Sequence, residues 1–150
     1  MILPHFWRRS SVPPQDYTAE AAALFTRFAE RHTLTYEIVP QAPIELLWRF
    51  PPQQRLSVPV TLGLQNEDEL NFGLPGLWAT IFPFPAVSAD FERIIDAWVE
   101  GRARLVRVGW LRTRLELNDN GGWRIVYRAF GAGGWPNTVD TLQNTPSPAR

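Results

Sequence analysis

The 150-residue chain has no cysteine, no lysine, only two histidines and no long uninterrupted apolar run. Without cysteine, a disulfide framework, a thiolate zinc site, an iron–sulfur cluster and a cysteine nucleophile are all excluded. The apolar runs are a few residues long, whereas a membrane-spanning helix needs about 18 to 20 apolar residues. The first residues also lack the order of charged and apolar segments that a secretory signal has. These absences predict a cytoplasmic protein with no membrane partner.

All fifteen Lys/Arg positions are arginine, and this has two explanations. A guanidinium group suits bidentate recognition of carboxylate or phosphate, which would be a functional explanation. Codon bias in a GC-rich genome is the other, and it also accounts for fourteen prolines and for arginines in every segment. Bias is favoured, because whole-chain composition bears on solubility and association rather than on one site.

The length and composition predict one folded domain spanning residues 1–150. At 45% hydrophobic and 20% charged residues, the chain has an ordinary globular composition. We expect an extended arm over residues 1–15, an α+β body over residues 16–130 and a loosely ordered tail over residues 131–150. The tail is rich in Gly, Pro, Asn, Ser and Thr, and Trp135 is its one candidate anchor.

Two helices are predicted from apolar stripes with helical spacing. Asp16 is placed to cap the first helix, which ends near His32. Ser88 offers a capping hydroxyl to the second helix, and Gly101 is placed to end it. The stripes are Tyr17, Ala21, Leu24, Phe25 and Phe28 in the first helix, and Phe91, Ile94, Ile95, Trp98 and Val99 in the second.

Alternating apolar residues predict four or five short strands between the helices, including 44–50 and 56–64. Pro59 has no amide donor, so its strand should lie at a sheet edge or contain a bulge. Residues 104–130 predict a hairpin around the turn at 118–122. The order predicts an α+β fold: an N-terminal helix, an antiparallel sheet of about five to seven strands, and a second helix before the C-terminal hairpin, with the helices on one sheet face.

The zero net charge is the sum of two opposed segments. Residues 63–100 carry seven acids and one arginine, a net charge of −6, and residues 101–128 carry seven arginines and two acids, a net charge of +5. The hairpin pattern places guanidinium groups and an indole on one face. The candidate partner-binding residues are Arg112, Arg114, Arg124, Arg128 and Trp110.

This arginine pattern has a functional and a structural interpretation. The functional one is an anion-binding face for an acidic protein, a phosphorylated ligand or nucleic acid. The structural interpretation is a solvated face, or arginines that pair internally with the acidic second helix around Asp96 and Glu100. The structural interpretation is favoured, because any half-exposed strand shows alternating charges. Specific nucleic-acid binding is not expected, because the chain is neutral with a pI near 6.7.

No catalytic, metal or cofactor residue is assigned from the sequence. Neither histidine belongs to a spaced ligand pair, and no serine lies in a Gly-x-Ser-x-Gly elbow. The acidic run 67–69 lacks the alternating carboxylates and central glycine of a calcium loop. Among the nineteen aromatic residues, Trp78, Phe82 and Trp98 are the candidates for the wall of a ligand pocket.

Three functions remain open. The first is a non-enzymatic binding or accessory protein, such as an adaptor, chaperone-like or inhibitor-type module, that holds a protein partner or a second copy through an arginine- and aromatic-bearing sheet face. The second is a carrier of a small apolar or acidic ligand in an aromatic-lined cavity. The third, least favoured, is an enzyme using Asp or Glu acid–base chemistry, since spacing along a chain does not reveal a carboxylate pair.

Overall fold

The computed structural model describes residues 15–109, 111–130 and 140–146, which form two helices and nine strands. The elements are α1 (Thr18–His32), β1 (Glu37–Ile38), β2 (Leu46–Phe50), β3 (Val60–Gln65), β4 (Glu69–Leu74), β5 (Leu77–Ile81), α2 (Phe84–Val99), β6 (Ala103–Val108), β7 (Arg112–Asn118), β8 (Trp123–Phe130) and β9 (Thr141–Gln143). Neither helix is long and apolar enough to cross a membrane. The predicted α+β class, with antiparallel strands and a second helix before the C-terminal strands, is confirmed.

The strands form two sheets where the sequence pattern predicted one. The first sheet has the order β1-β2-β3-β4-β5, and the second has the order β8-β7-β6-β9. They meet near β5 and β8, where the Thr80 N–H donates to the Tyr127 hydroxyl at 3.2 Å. Helix α2 contacts strands of both sheets and therefore joins them.

One face of the first sheet is apolar and is covered by the two helices. Trp48, Leu62, Phe72 and Ala79 are cross-strand neighbours along one row of this face, and all four are buried. Helix α1 lies over β2 and β3, and α2 lies over β4 and β5. The period-2 alternation of these strands thus provides the core, and the prediction that both helices cover one sheet face is confirmed.

The helix boundaries follow from their terminal residues. A carboxylate oxygen of Asp16 accepts hydrogen bonds from the N–H and the hydroxyl of Thr18, at 2.9 and 2.5 Å, at the start of α1. Helix α2 begins at Phe84, four residues before Ser88, so the predicted cap at Ser88 is wrong. Proline fits the first turn of a helix, where its missing N–H would be unpaired in any case. Gly101, with φ of 77°, ends α2 as predicted.

Two strand boundaries also differ from the sequence pattern. Strand β3 begins at Val60, directly after Pro59, and it lies in the interior of the first sheet between β2 and β4. The proline therefore precedes the strand instead of marking an edge. Gly109, with φ of 70°, turns the chain between β6 and β7, so the region predicted as one hairpin contains three strands.

The predicted loose tail contains an ordered segment at residues 140–146. Strand β9 pairs with β6, and the side chain of Asn144 is buried just beyond it. The amide of Asn144 bonds to the backbone of Arg55, Ser57 and Val99. Residues 131–139, with Trp135, and the predicted arm up to residue 14 lie outside the described residues.

Two acids of α2, Glu92 and Asp96, pair with basic residues of α1. Arg27 pairs with Glu92, and Arg31 places two nitrogens at 2.9 and 3.0 Å from one carboxylate oxygen of Asp96. His32 Nε2 lies 2.6 Å from the same oxygen. Burial of Asp96 disfavours its charged form, but the contacts with His32 and Arg31 outweigh burial and hold the pKa of this carboxyl below its usual value.

Replacing Asp96 with asparagine is expected to lower the free energy of unfolding by about 2 kcal/mol at neutral pH, because hydrogen bonds to a charged group are lost. The lowered pKa means that this contribution is present above the pKa of the unfolded chain and is lost as pH falls through the folded-state pKa. Urea denaturation of the wild type and Asp96→Asn should therefore give different midpoints near pH 7, and the midpoints should converge as pH falls through the folded-state pKa of Asp96.

Asp90→Asn is the matched control for this experiment, because Asp90 lies on the exposed side of the same helix and pairs only with nearby Arg93 among the described residues. An exposed pair three residues apart contributes little. If the urea midpoints of the wild type and Asp96→Asn still differed at low pH, the loss of stability would come from the shape of the side chain and not from its charge.

Candidate binding face

The second sheet has an inner face against α2 and an outer face without a helix over it in the described ranges. The inner face carries Ala103, Leu105, Leu115 and Leu117, which are cross-strand neighbours and are buried. The residues between them point outward. We call the outer surface of the second sheet the arginine face; it comprises Arg104, Val106, Val108, Arg112, Arg114, Glu116, Trp123, Ile125, Arg128 and Phe130.

An irregularity in β8 decides which arginines lie on this face. Tyr127 is opposite Leu115, but Ile125 is opposite Glu116, so Val126 is an extra residue in β8. A bulge of this kind reverses the side-chain alternation beyond it. Arg124 is consequently opposite Leu117, on the inner face of the sheet.

Arg124 instead forms an ion pair beside α2. Its guanidinium donates to a carboxylate oxygen of Asp119 at 2.7 Å, and this hydrogen bond holds the pKa of Asp119 below its usual value. Arg124 also lines a cavity of about 410 Å³ next to α2, together with Asp90 and Arg93. The two acids and two arginines there are paired with one another.

Glu116 is buried within the arginine face and forms ion pairs with two of its arginines, so the three groups together remain positive. Arg104 Nε donates to one carboxylate oxygen at 2.8 Å, and Arg114 Nε lies 2.7 Å from the other as an ion pair without hydrogen-bond alignment. The Arg104 guanidinium also lies 3.9 Å from the centre of the Trp123 ring, as a cation–π contact. Arg104 and Arg114 are therefore held by the protein itself.

Arg112 and Arg128 remain, and among residues 15–109, 111–130 and 140–146 neither forms an ion pair with a carboxylate. The Arg112 guanidinium lies 5.9 Å from the centre of the Phe130 ring. Arg128 is directly opposite Arg114 in the β7–β8 register. Like charges at directly opposite positions destabilise a sheet, so an anion bound here would relieve that repulsion.

These arginines line a groove of about 370 Å³ on the arginine face. Its apolar parts come from Val108, Ile125 and Phe130. The Phe130 side chain is 84% exposed, and Leu111, in the adjacent β6–β7 turn, is 46% exposed. Large apolar side chains clustered beside uncompensated cations are typical of an interaction surface.

The structure brings together three of the five predicted partner-binding residues: Arg112, Arg114 and Arg128. Arg124 is excluded by the bulge, and Trp110 lies outside the described residues. Arg104 and Trp123 also lie on this face, although the predicted hairpin pattern does not select them. The turn at Gly109 was the available signal for Arg104, because a separate β6 strand places this arginine beside Glu116.

The three residues predicted to line an aromatic pocket do not line one cavity. Trp98 is fully buried under the first sheet and packs against Phe72. Trp78 lies on the opposite face of that sheet, with its ring so close to Gly73 that an added Cβ would be 2.9 Å from it. Phe82 follows β5 and is 60% exposed. The sheet itself therefore separates Trp98 from Trp78.

The described residues include no group of three His, Asp or Glu side chains that could hold a metal ion. The buried His32–Asp96 contact connects α1 to α2, and His32 packs edge-on against Phe28, so both side chains act in helix packing. Comparison with protein-family models, curated proteins and solved structures finds no significant match to this chain. The arginine face is therefore the feature from which a function is inferred.

Proposed function

We propose that this protein is a non-enzymatic binding module that holds an acidic protein partner on the arginine face. The observation that carries the proposal is the pair of arginines, Arg112 and Arg128, that have no carboxylate partner in the described part of the chain, while Glu92 and Asp96 of α2 are paired with α1. Arginine and aromatic residues are enriched in protein interfaces, and Phe130 supplies the aromatic side chain next to both.

The arginine face has the composition of a hot spot inside a polar rim. Arg104 and Arg114 are held in place by Glu116, so they form a fixed positive border. Arg112 and Arg128 carry the charge that a partner neutralises, and Phe130 and Val108 provide apolar area that a partner removes from water. Complementary charge then accelerates encounter and selects against cationic partners.

A carrier of a small acidic ligand is the second candidate. The groove volume of about 370 Å³ lies within the range of small-molecule sites, and several guanidinium groups border it. A thermal-shift screen of small mono- and dicarboxylates and of apolar acids tests it, and absence of stabilisation by every class would rule it out. An exposed Phe130 favours the protein partner, since small-ligand sites enclose most of the ligand surface.

Charge reversal on the arginine face tests the proposed function. A fluorescein-labelled octaglutamate peptide serves as the acidic probe, with anisotropy measured at low and physiological salt. We expect Arg112→Glu combined with Arg128→Glu to weaken binding at least about tenfold, because two attractive charges become repulsive. Both side chains lie on the open face of the sheet, so circular dichroism and the unfolding midpoint should change little.

The control is Arg49→Glu combined with Arg124→Glu, which changes the net charge by the same amount elsewhere. Arg49 is 55% exposed on the first sheet, and Arg124 lies on the inner face of the second. This variant should bind octaglutamate within about twofold of the wild type. An equal loss in both variants would mean that net charge alone attracts the probe, and the proposed function would fail.

A further inference from the structure

The apolar and cationic groups of the arginine face lie in cross-strand rows. The spacing of these rows restricts the possible ligand more closely than the positive charge alone does. Val108, Arg112 and Phe130 are cross-strand neighbours and form the row nearest the β6–β7 turn, which we call the turn row. Val106, Arg114 and Arg128 form the next row, which we call the cationic row. Along a strand, successive rows on one face are two residues apart, or about 6.6 to 6.8 Å.

From this arrangement we infer that the partner presents an extended segment in which a carboxylate and a large apolar side chain are two residues apart. The inference rests on the proposed function and specifies the ligand of the same face. The carboxylate lies at the cationic row, between Arg128 and the diagonal Arg112, and the apolar side chain lies at the turn row, against Phe130 and Val108. An extended peptide repeats every two residues on one side, so its spacing equals the spacing of the rows.

The alternative occupants fit this face less well. A second copy docked by two-fold symmetry would place the unpaired arginines of both copies near one another, because an isologous contact uses the same surface twice. Nucleic acid would pair its phosphates with the cations and would stack a base on Phe130, but it would leave the aliphatic side chains of Val108 and Leu111 without an apolar partner. A peptide with acidic and apolar residues on one side uses both kinds of group.

The contact of Arg112 with Phe130 supports this division of roles. The guanidinium lies 5.9 Å from the ring centre, within the range of a cation–π contact, so the ring helps to orient Arg112. Phe130 remains 84% exposed and therefore keeps most of its surface for a ligand. Removing its ring should reduce recognition of the apolar residue while leaving the charges of both arginines in place.

Two peptides of identical composition test the spacing. The first repeats Leu-Ser-Glu-Ser, which places leucine and glutamate on the same side of an extended chain. The second repeats Leu-Glu-Ser-Ser, which places them on opposite sides. Each peptide has four repeats and a fluorescein label, and anisotropy titrations with the full chain give the dissociation constants. We expect the first peptide to bind about tenfold more tightly than the second, because only it satisfies both rows at once.

Phe130→Ser is the matched variant. It should reduce the affinity for the first peptide to that for the second, so that the preference for the first peptide disappears. Equal binding of the two peptides by the wild type would overturn the inference. If octaglutamate binding still depended on Arg112 and Arg128, the proposed function would survive that result; if it did not, both would fail.

Two further measurements exclude the other occupants. An oligonucleotide of eight thymidylates should bind more weakly than the first peptide, and tighter binding that depends on Arg112 and Arg128 would overturn the inference in favour of nucleic acid. Sedimentation velocity should show no change in oligomeric state between the wild type and the double reversal Arg112→Glu, Arg128→Glu. A dimer that dissociates in this variant would instead identify a second copy as the occupant.

Discussion

Replacing Asn144 with alanine should lower the free energy of unfolding by about 3 kcal/mol, which is a fall of roughly 10 °C in Tm for a chain of this size. The side chain of Asn144 is buried, and both the oxygen and the nitrogen of its amide form hydrogen bonds. Its Oδ1 accepts from the Ser57 N–H at 2.7 Å and from the Ser57 hydroxyl at 3.2 Å, and its Nδ2 donates to the carbonyls of Val99 at 2.8 Å and Arg55 at 3.1 Å.

The loss is large because the alanine variant leaves the buried Val99 carbonyl unpaired, together with part-buried backbone groups of Arg55 and Ser57. Asn144 also connects three distant segments: the chain before β3, the end of α2 and the segment that follows β9. Gln143→Ala is the control, since Gln143 is exposed and donates one hydrogen bond, to the Gly101 carbonyl at 2.6 Å. It should cost less than about 1 kcal/mol, and equal losses in the two variants would contradict the role given to Asn144.

A double-mutant cycle tests whether Asn144 and Ser57 stabilise the fold through the same hydrogen bonds. Ser57→Ala removes the hydroxyl, which donates to Asn144 Oδ1 and accepts from the Thr145 N–H at 2.9 Å, but it keeps the backbone N–H, so it should cost less than Asn144→Ala. The two effects should not add, because both residues share one hydrogen-bond network. Chemical denaturation of the wild type, the two single variants and the double variant measures the coupling.

Replacing Glu116 with glutamine should have two opposite effects. The free energy of unfolding should fall by about 2 to 3 kcal/mol, because Arg104 and Arg114 lose the buried carboxylate with which both form ion pairs. Both arginines are partly exposed, which keeps the loss below that of a fully buried pair. Affinity for octaglutamate should rise about threefold, because two further guanidinium groups become available to the probe.

Glu116→Gln should lower stability but raise affinity for octaglutamate, and this combination distinguishes it from a misfolded variant. A variant that is simply misfolded would lose both stability and binding. Asp119→Asn is the control, since Asp119 is the other carboxylate of residues 101–128 but pairs with Arg124 away from the arginine face. It should change neither binding nor, to a measurable extent, stability. Unchanged or weaker octaglutamate binding by Glu116→Gln would show that Arg104 and Arg114 do not contribute to binding.

The elements that could be predicted are those whose evidence is local in the sequence. The apolar stripes of α1 and α2, the glycine that ends α2 and the alternation of β2 to β5 each depend on residues a few positions apart. The start of α2 was misplaced because Ser88 is a good cap in isolation, whereas the prolines before it also suit a first helical turn.

The candidate face was predictable only in part. Alternation correctly placed Arg112 and Arg114 on one side of β7, and it placed Arg128 on the same side of the sheet. It failed for Arg124, because one extra residue at Val126 reverses every side chain beyond it, and no local pattern marks that bulge. The ordered segment around Asn144 was missed for a related reason, since its hydrogen-bond partners lie 45 to 89 residues away.

The acidic segment 63–100 and the basic segment 101–128 also show which properties are local in the sequence and which depend on tertiary contacts. The amino-acid sequence alone determined that a segment of −6 precedes a segment of +5, and that the arginines of the second alternate as strands require. Tertiary structure decided which charges meet: Glu92 and Asp96 bind α1, Glu116 binds its own sheet, and Arg112 and Arg128 keep no acid partner within the described ranges. Spacing along a chain sets the side of a strand on which a charge lies, but only the packing of distant elements brings a counter-charge within a few ångströms.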